Sequence, residues 1–126
     1  MNTKAIMTVT AGCYAIIGTA LTFIPDEISA EKIPGLAASP ILFQLLGAGY
    51  LGFAFMNMMV RGSIIGGIYN RPIVIGNLTH FTIGGIAILK IVNGTGFSYP
   101  LLCMGLAFCA FAVVFGVIMM KNPKLR

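Results

Sequence analysis

Residues Leu101–Met120 read LLCMGLAFCAFAVVFGVIMM, twenty positions without a single charge. Ala5–Ile24, Ile41–Val60 and Ile73–Val92 share that character, each also 20 residues long and almost uncharged. At about 1.5 Å of rise per residue, each stretch makes a helix of roughly 30 Å, the thickness of a bilayer's hydrocarbon core. The expected fold is therefore all-α. It is an integral membrane four-helix antiparallel bundle, a single four-span domain over residues 1–126.

Composition excludes the soluble globular class. Of 126 residues, 58% are apolar and 9% charged, too few charges for a hydrated shell. In a soluble protein the net charge of +5 would suggest nucleic acid. Here topology explains it, because Lys and Arg collect in cytoplasmic loops. Lys4, Arg61, Arg71, Lys121, Lys124 and Arg126 all fall on one side of the expected bundle. Lys32 and Lys90 fall on the other, with the acids Asp26, Glu27 and Glu31. Both termini are expected in the cytoplasm and the chain in the inner membrane. Thr10-Ala11-Gly12-Cys13 has the small residues of a lipoprotein cleavage site, but the apolar run continues to Ile24, so an uncleaved first helix is expected.

Proline and glycine mark the boundaries. Pro25-Asp26-Glu27 reads as the first turn of a short second helix, with proline at N1 and carboxylates at the positive end. Pro34-Gly35 breaks that helix, and Ser39-Pro40 starts span two. Arg61–Arg71 is a glycine-rich loop suited to lie among headgroups, and Pro72 starts span three. Asn93-Gly94-Thr95-Gly96 is expected to end that span in a turn, Ser98 to cap span four, and Asn122-Pro123 to close it. Ile17–Leu21 (IGTAL) faintly echoes Ile83–Ala87 (IGGIA). A true repeat would mean two helical hairpins of one orientation, but five residues in an apolar background are weak evidence, and chance is the better reading.

Polar groups inside lipid cost free energy unless satisfied, so their placement is the best functional signal. Tyr50, Ala54, Asn57 and Arg61 form one stripe of span two, and Asn77, His80 and Gly84 one face of span three. If the two stripes face each other across the short loop, they build a polar seam from the cytoplasmic surface to mid-membrane, with Asn70 and Arg71 near its mouth. The seam is either structural glue between helices or a ligand pocket. In the pocket reading His80, the one histidine, is the sharpest candidate. Tyr14 has the depth to complete such a pocket with Tyr50, while Gln44 lies on another face.

Other patterns read as packing. Gly105, Cys109, Ala112 and Gly116 put small groups along span four, and Gly49 with Gly52 do so on span two, for packing or for subunit association. Cys13, Cys103 and Cys109 lie in spans at unrelated spacings, which suits small packing residues rather than zinc or disulfides. Met7, Met56, Met58, Met59, Met119 and Met120 gather near helix ends as soft packing. No acid lies within a span, and Gly62–Gly67 lacks the lysine of a phosphate loop, so catalysis has little to work with.

Three features give the chain a resemblance to small bacterial membrane proteins of the DoxX-like type. They are Phe23-Ile24-Pro25 after span one, Gly47-Ala48-Gly49-Tyr50-Leu51-Gly52 in span two, and Asn70-Arg71-Pro72 at the turn into span three. The resemblance implies a four-helix fold and, for some members, quinone-linked redox systems. The Asn77/His80 pair maps onto no pattern of that group.

The expected function is a non-enzymatic membrane protein holding a lipid, quinone or other small amphiphile through Tyr50, Asn57, Arg61, Asn77 and His80, or serving as an accessory subunit of a larger membrane complex. A homo-oligomeric channel or transporter is the alternative. A membrane enzyme using His80 near Arg61 ranks last. No cofactor, metal or nucleic acid is expected.

Overall fold

The computed structural model describes residues 2–31, 40–63, 70–95 and 99–120, all helices and short turns. Five helices follow in order: α1 (Thr3–Phe23), α2 (Pro25–Glu31), α3 (Pro40–Val60), α4 (Arg71–Thr95) and α5 (Tyr99–Met120). Four of them, α1, α3, α4 and α5, are long and apolar enough to cross a membrane. The expectations for Lys32, Pro34-Gly35, Ser39, the loop centre at 64–69, Gly96, Ser98 and the tail from Lys121 to Arg126 lie outside the described residues.

Local chemistry sets the helix ends. Asn2 caps α1, its Oδ1 accepting from the Ala5 N–H at 3.1 Å. The helix stops before Pro25, which has no N–H to donate and disfavours the α conformation at Ile24. Pro25 then opens α2, with Asp26 and Glu27 in its first turn as expected. α3 likewise opens at Pro40. Before α4, the Asn70 Nδ2 donates to Ser63 Oγ at 3.0 Å.

One boundary differs from expectation. Asn93, Gly94 and Thr95 do not turn but continue α4, making it 25 residues long. At about 1.5 Å per residue that is roughly 37 Å, longer than the hydrocarbon core. Staying helical keeps the backbone hydrogen bonds of that last turn closed. Weak intrinsic propensity at Asn93 and Gly94 is outweighed by that demand.

The chain divides into two compact units, Met1–Gly62 and Ser63–Arg126. In the first, α1 packs antiparallel on α3, and α2 touches both. Met7, Thr10, Ala11, Tyr14 and Gly18 of α1 face Phe43, Gly47, Ala54 and Asn57 of α3 across the buried side. The helices meet backbone to backbone. A Cβ on Gly18 would lie 3.0 Å from both the Gly47 carbonyl oxygen and the Leu51 nitrogen. One on Gly47 would lie 2.8 Å from the Gly18 carbonyl oxygen and 3.0 Å from the Thr22 nitrogen. Thr22 itself turns its hydroxyl back onto Gly18 O at 2.7 Å, which satisfies that hydroxyl within its own helix.

In the second unit α4 packs antiparallel on α5. A Cβ on Gly85 would lie 3.1 Å from Cys109 Sγ, and one on Gly105 would lie 3.0 Å from Leu89 Cδ2. Phe81 is the hub. Its ring stacks on Phe111 at 4.8 Å and on Phe115 at 5.8 Å, and meets Phe108 edge-on at 5.3 Å.

The small residues of α5 thus serve packing within the unit, at Gly105 and Cys109. Those expected on α3 do not. Among the described residues nothing lies within 4 Å of a Cβ built on Gly49 or Gly52. The glycine that packs is Gly47, because two residues further along rotates about 200° around a helix, to the far side. Five of the six methionines point outward too, and only Met7 is core. Ile16, Phe55, Met59, Ile83 and Val113 are each more than 60% exposed, as suits helices bathed in acyl chains rather than water.

Candidate functional site

The first unit holds Tyr50, Asn57 and Arg61. Tyr50 is half-buried on α3, its ring 5.6 Å from that of Tyr14 and steeply inclined to it. Phe53 closes the same cluster, 5.5 Å from Tyr14. One turn on, Asn57 is wholly enclosed, and its Nδ2 donates to the Phe53 carbonyl at 2.8 Å. Arg61 follows in the turn after α3 and is half-buried.

Asn77 and His80 belong to the second unit. Asn77 is also wholly enclosed and donates from Nδ2 to the Ile73 carbonyl at 2.9 Å. His80 is half-buried, its ring 5.6 Å from Phe81 and 5.8 Å from Phe108. Its Nε2 is sealed from solvent. The arms of the expected seam therefore lie one in each unit, and within each unit the same combination recurs. An enclosed asparagine is tied to its own helix, and a half-buried polar ring stands beside an aromatic wall.

The two kinds of residue differ in what they offer chemically. An amide that back-bonds the carbonyl four residues earlier holds its own helix's polar surface closed, which suits a structural part. A half-buried phenol or imidazole puts an apolar ring face and a polar atom side by side, which suits a planar amphiphile with a carbonyl or hydroxyl. Among the described residues no three His, Cys, Asp or Glu side chains gather to hold a metal ion. Asp26 and Glu27, the acids with described side chains, are exposed on α2, outside the spans.

Sequence reasoning passed over Thr10 and undervalued Tyr14. Both are enclosed on α1, at 0% and 1% exposure, one turn apart on the face that meets α3. Their spacing with Met7 and Gly18, at i+3, i+7 and i+11 from Met7, is a helical stripe legible in retrospect. Thr10 read instead as part of a cleavage motif. The Thr10 hydroxyl is enclosed and has no hydrogen-bond partner among the described residues. Gln44, expected on another face of span two, is exposed on α3. The aromatic walls at Phe53, Phe81 and Phe108 carried no sequence signal, since phenylalanine is unremarkable in a membrane span. No protein family, curated protein or solved structure matches the chain.

Proposed function

We propose that this is a small non-enzymatic membrane protein that binds an amphiphile of the lipid or quinone class, alone or as an accessory subunit of a membrane complex. The observation that carries the reading is the pair of half-buried polar rings, Tyr50 and His80, each set against an aromatic wall inside an otherwise apolar helix pair. Within each unit the aromatic face takes the apolar body of a ligand, and the polar ring beside it, the Tyr50 phenol or the His80 imidazole, takes its carbonyl or hydroxyl. Arg61 meets an anionic headgroup at the rim. Asn57 and Asn77 hold the helices that present these groups.

The same reading places both termini in the cytoplasm and the chain in the inner membrane, because Lys4, Arg61 and Arg71 lie at one end of the spans and Asp26, Glu27 and Lys90 at the other. The DoxX-like layout agrees with four such spans and with a quinone as the amphiphile.

Titrating decylubiquinone into the protein in nanodiscs tests the ligand reading through tyrosine emission, since the chain has four tyrosines and no tryptophan. Saturable quenching is expected, weakened about tenfold in His80→Ala and in Tyr50→Phe, as for the loss of one hydrogen bond worth about 1.4 kcal/mol. Quenching that never saturates, or that both variants leave unchanged, overturns it. A second reading, a homo-oligomeric channel or transporter, draws on the open face at Gly49 and Gly52, where another helix has room to approach.

A further inference from the structure

We infer that the chain is a tandem duplication of one membrane hairpin, the pair α1/α3 repeated as the pair α4/α5. The argument lies in the register of the contacts. Laying α1 on α4 so that Gly18 falls on Gly85, and α3 on α5 so that Tyr50 falls on Phe108, requires one fixed offset for each helix, 67 and 58 residues. With those two offsets the glycine-to-neighbour and ring contacts of the first crossing reappear in the second, although the direct Gly18–Gly47 backbone contact has no counterpart between Gly85 and Gly105. Gly18 against Leu51 becomes Gly85 against Cys109, and Gly47 against Thr22 becomes Gly105 against Leu89. The ring pair Tyr14–Tyr50, 5.6 Å apart, becomes Phe81–Phe108, 5.3 Å apart. Tyr14–Phe53, at 5.5 Å, becomes Phe81–Phe111, at 4.8 Å.

Burial follows the same register closely on α1 and α4 and in part on α3 and α5. Met7, Thr10, Tyr14, Gly18 and Pro25 fall on Val74, Asn77, Phe81, Gly85 and Val92, and all ten are buried, while Ala11 falls on half-buried Leu78. Gly47 falls on Gly105 and Asn57 on Phe115, again buried on both sides, whereas Phe43 and Ala54 fall on half-buried Leu101 and Ala112, and Phe108 and Ile118 on half-buried Tyr50 and Val60. The sequence agrees once the register is set. Residues 13–21, CYAIIGTAL, lie on 80–88, HFTIGGIAI, and residues 47–54, GAGYLGFA, lie on 105–112, GLAFCAFA. The echo heard between Ile17–Leu21 and Ile83–Ala87 is thus real but one residue out of step: Gly18 corresponds to Gly85, not Gly84. Two unrelated antiparallel pairs often share a glycine contact. They have no reason to share glycine contacts, ring contacts and burial at the same two offsets.

The repeat also separates frame from specialisation. The glycines and the rings of the crossing are kept in both copies, Gly18 and Gly47 as Gly85 and Gly105, and Tyr14 and Phe53 as Phe81 and Phe111. The positions assigned above to ligand contact are where the copies differ: Tyr50 against Phe108, Arg61 against Met119, and His80 against Cys13. The duplication itself does not depend on the ligand reading.

Grafting tests it in the full chain. Residues 47–54 are replaced by GLAFCAFA, and in the reciprocal variant residues 105–112 are replaced by GAGYLGFA. Controls carry the same octapeptides one residue later, at 48–55 and 106–113. Both in-register grafts are expected to stay monodisperse in mild detergent, with thermal midpoints within about 5 °C of the parent, a shift on the scale of one modest packing change. The shifted controls are expected to lose more than about 15 °C, because they drive side chains into the backbone crossing. Grafts no more stable than their shifted controls overturn the duplication.

Discussion

Gly47→Leu is expected to separate α1 from α3, while the same change at Gly49 or Gly52 leaves the fold standing. The three glycines lie within six residues of one helix, yet only Gly47 faces a backbone. A Cβ there meets the Gly18 carbonyl oxygen at 2.8 Å and the Thr22 nitrogen at 3.0 Å, and neither group can rotate away. Leucine forces the helices apart and forfeits the dispersion contacts along the whole crossing. In lipid those contacts are the main attraction, because acyl chains are as apolar as leucine and exclude nothing. Overpacking a core costs about 1–3 kcal/mol when side chains can yield, so a clash with backbone should exceed that range. The thermal midpoint in detergent, followed by near-ultraviolet tyrosine dichroism, measures the effect. It should fall sharply in Gly47→Leu and by no more than about 3 °C in Gly49→Leu and Gly52→Leu. Equal losses at all three sites would contradict the packing described.

Phe81→Ala should destabilise the second unit most among its single truncations. Phe81 touches Phe108, Phe111 and Phe115 and lies beside His80, so its removal opens a cavity at the centre of the aromatic cluster. In water Phe→Ala costs about 3–5 kcal/mol, part of it the transfer of the ring away from solvent. Inside a bilayer the separated helix keeps that ring in hydrocarbon, so the transfer part vanishes and the cavity part stays. A loss of about 2 kcal/mol follows, with Phe81→Leu losing about half as much. Steric trapping or denaturant titration in bicelles reads the difference directly. A Phe81→Ala protein as stable as its parent would mean that the cluster does not hold α4 to α5.

The spans were legible because length and hydropathy are one-dimensional properties. Twenty apolar residues between prolines and charges need no knowledge of partners, and Pro25 and Pro40 open helices where the sequence places them. What the sequence obscured is which face of each helix looks inward. A soluble helix declares its inner face by contrast with a polar outer face. Here the outer face meets lipid, so Gly47 and Gly49 look alike in the sequence although one packs and the other is open. The same lack of contrast left the internal echo a residue out of step, since isoleucine and glycine recur in both registers. Asn57 and Asn77 were visible because amides stand out in hydrocarbon, but their enclosure and their bonds to Phe53 and Ile73 were not. The end of α4 was misplaced for a different reason. Asn93-Gly94 is a common stop signal, yet here closing the backbone hydrogen bonds of one more turn outweighs it.

All of this requires α1, α3, α4 and α5 to cross a bilayer rather than lie on it. Polarised infrared dichroism of the protein in aligned lipid bilayers measures the mean angle between helix axes and the bilayer normal. Axes within about 40° of the normal are expected, the range of spanning helices. Axes lying in the plane of the bilayer would contradict the four-span reading, and with it the packing and ligand arguments built on it.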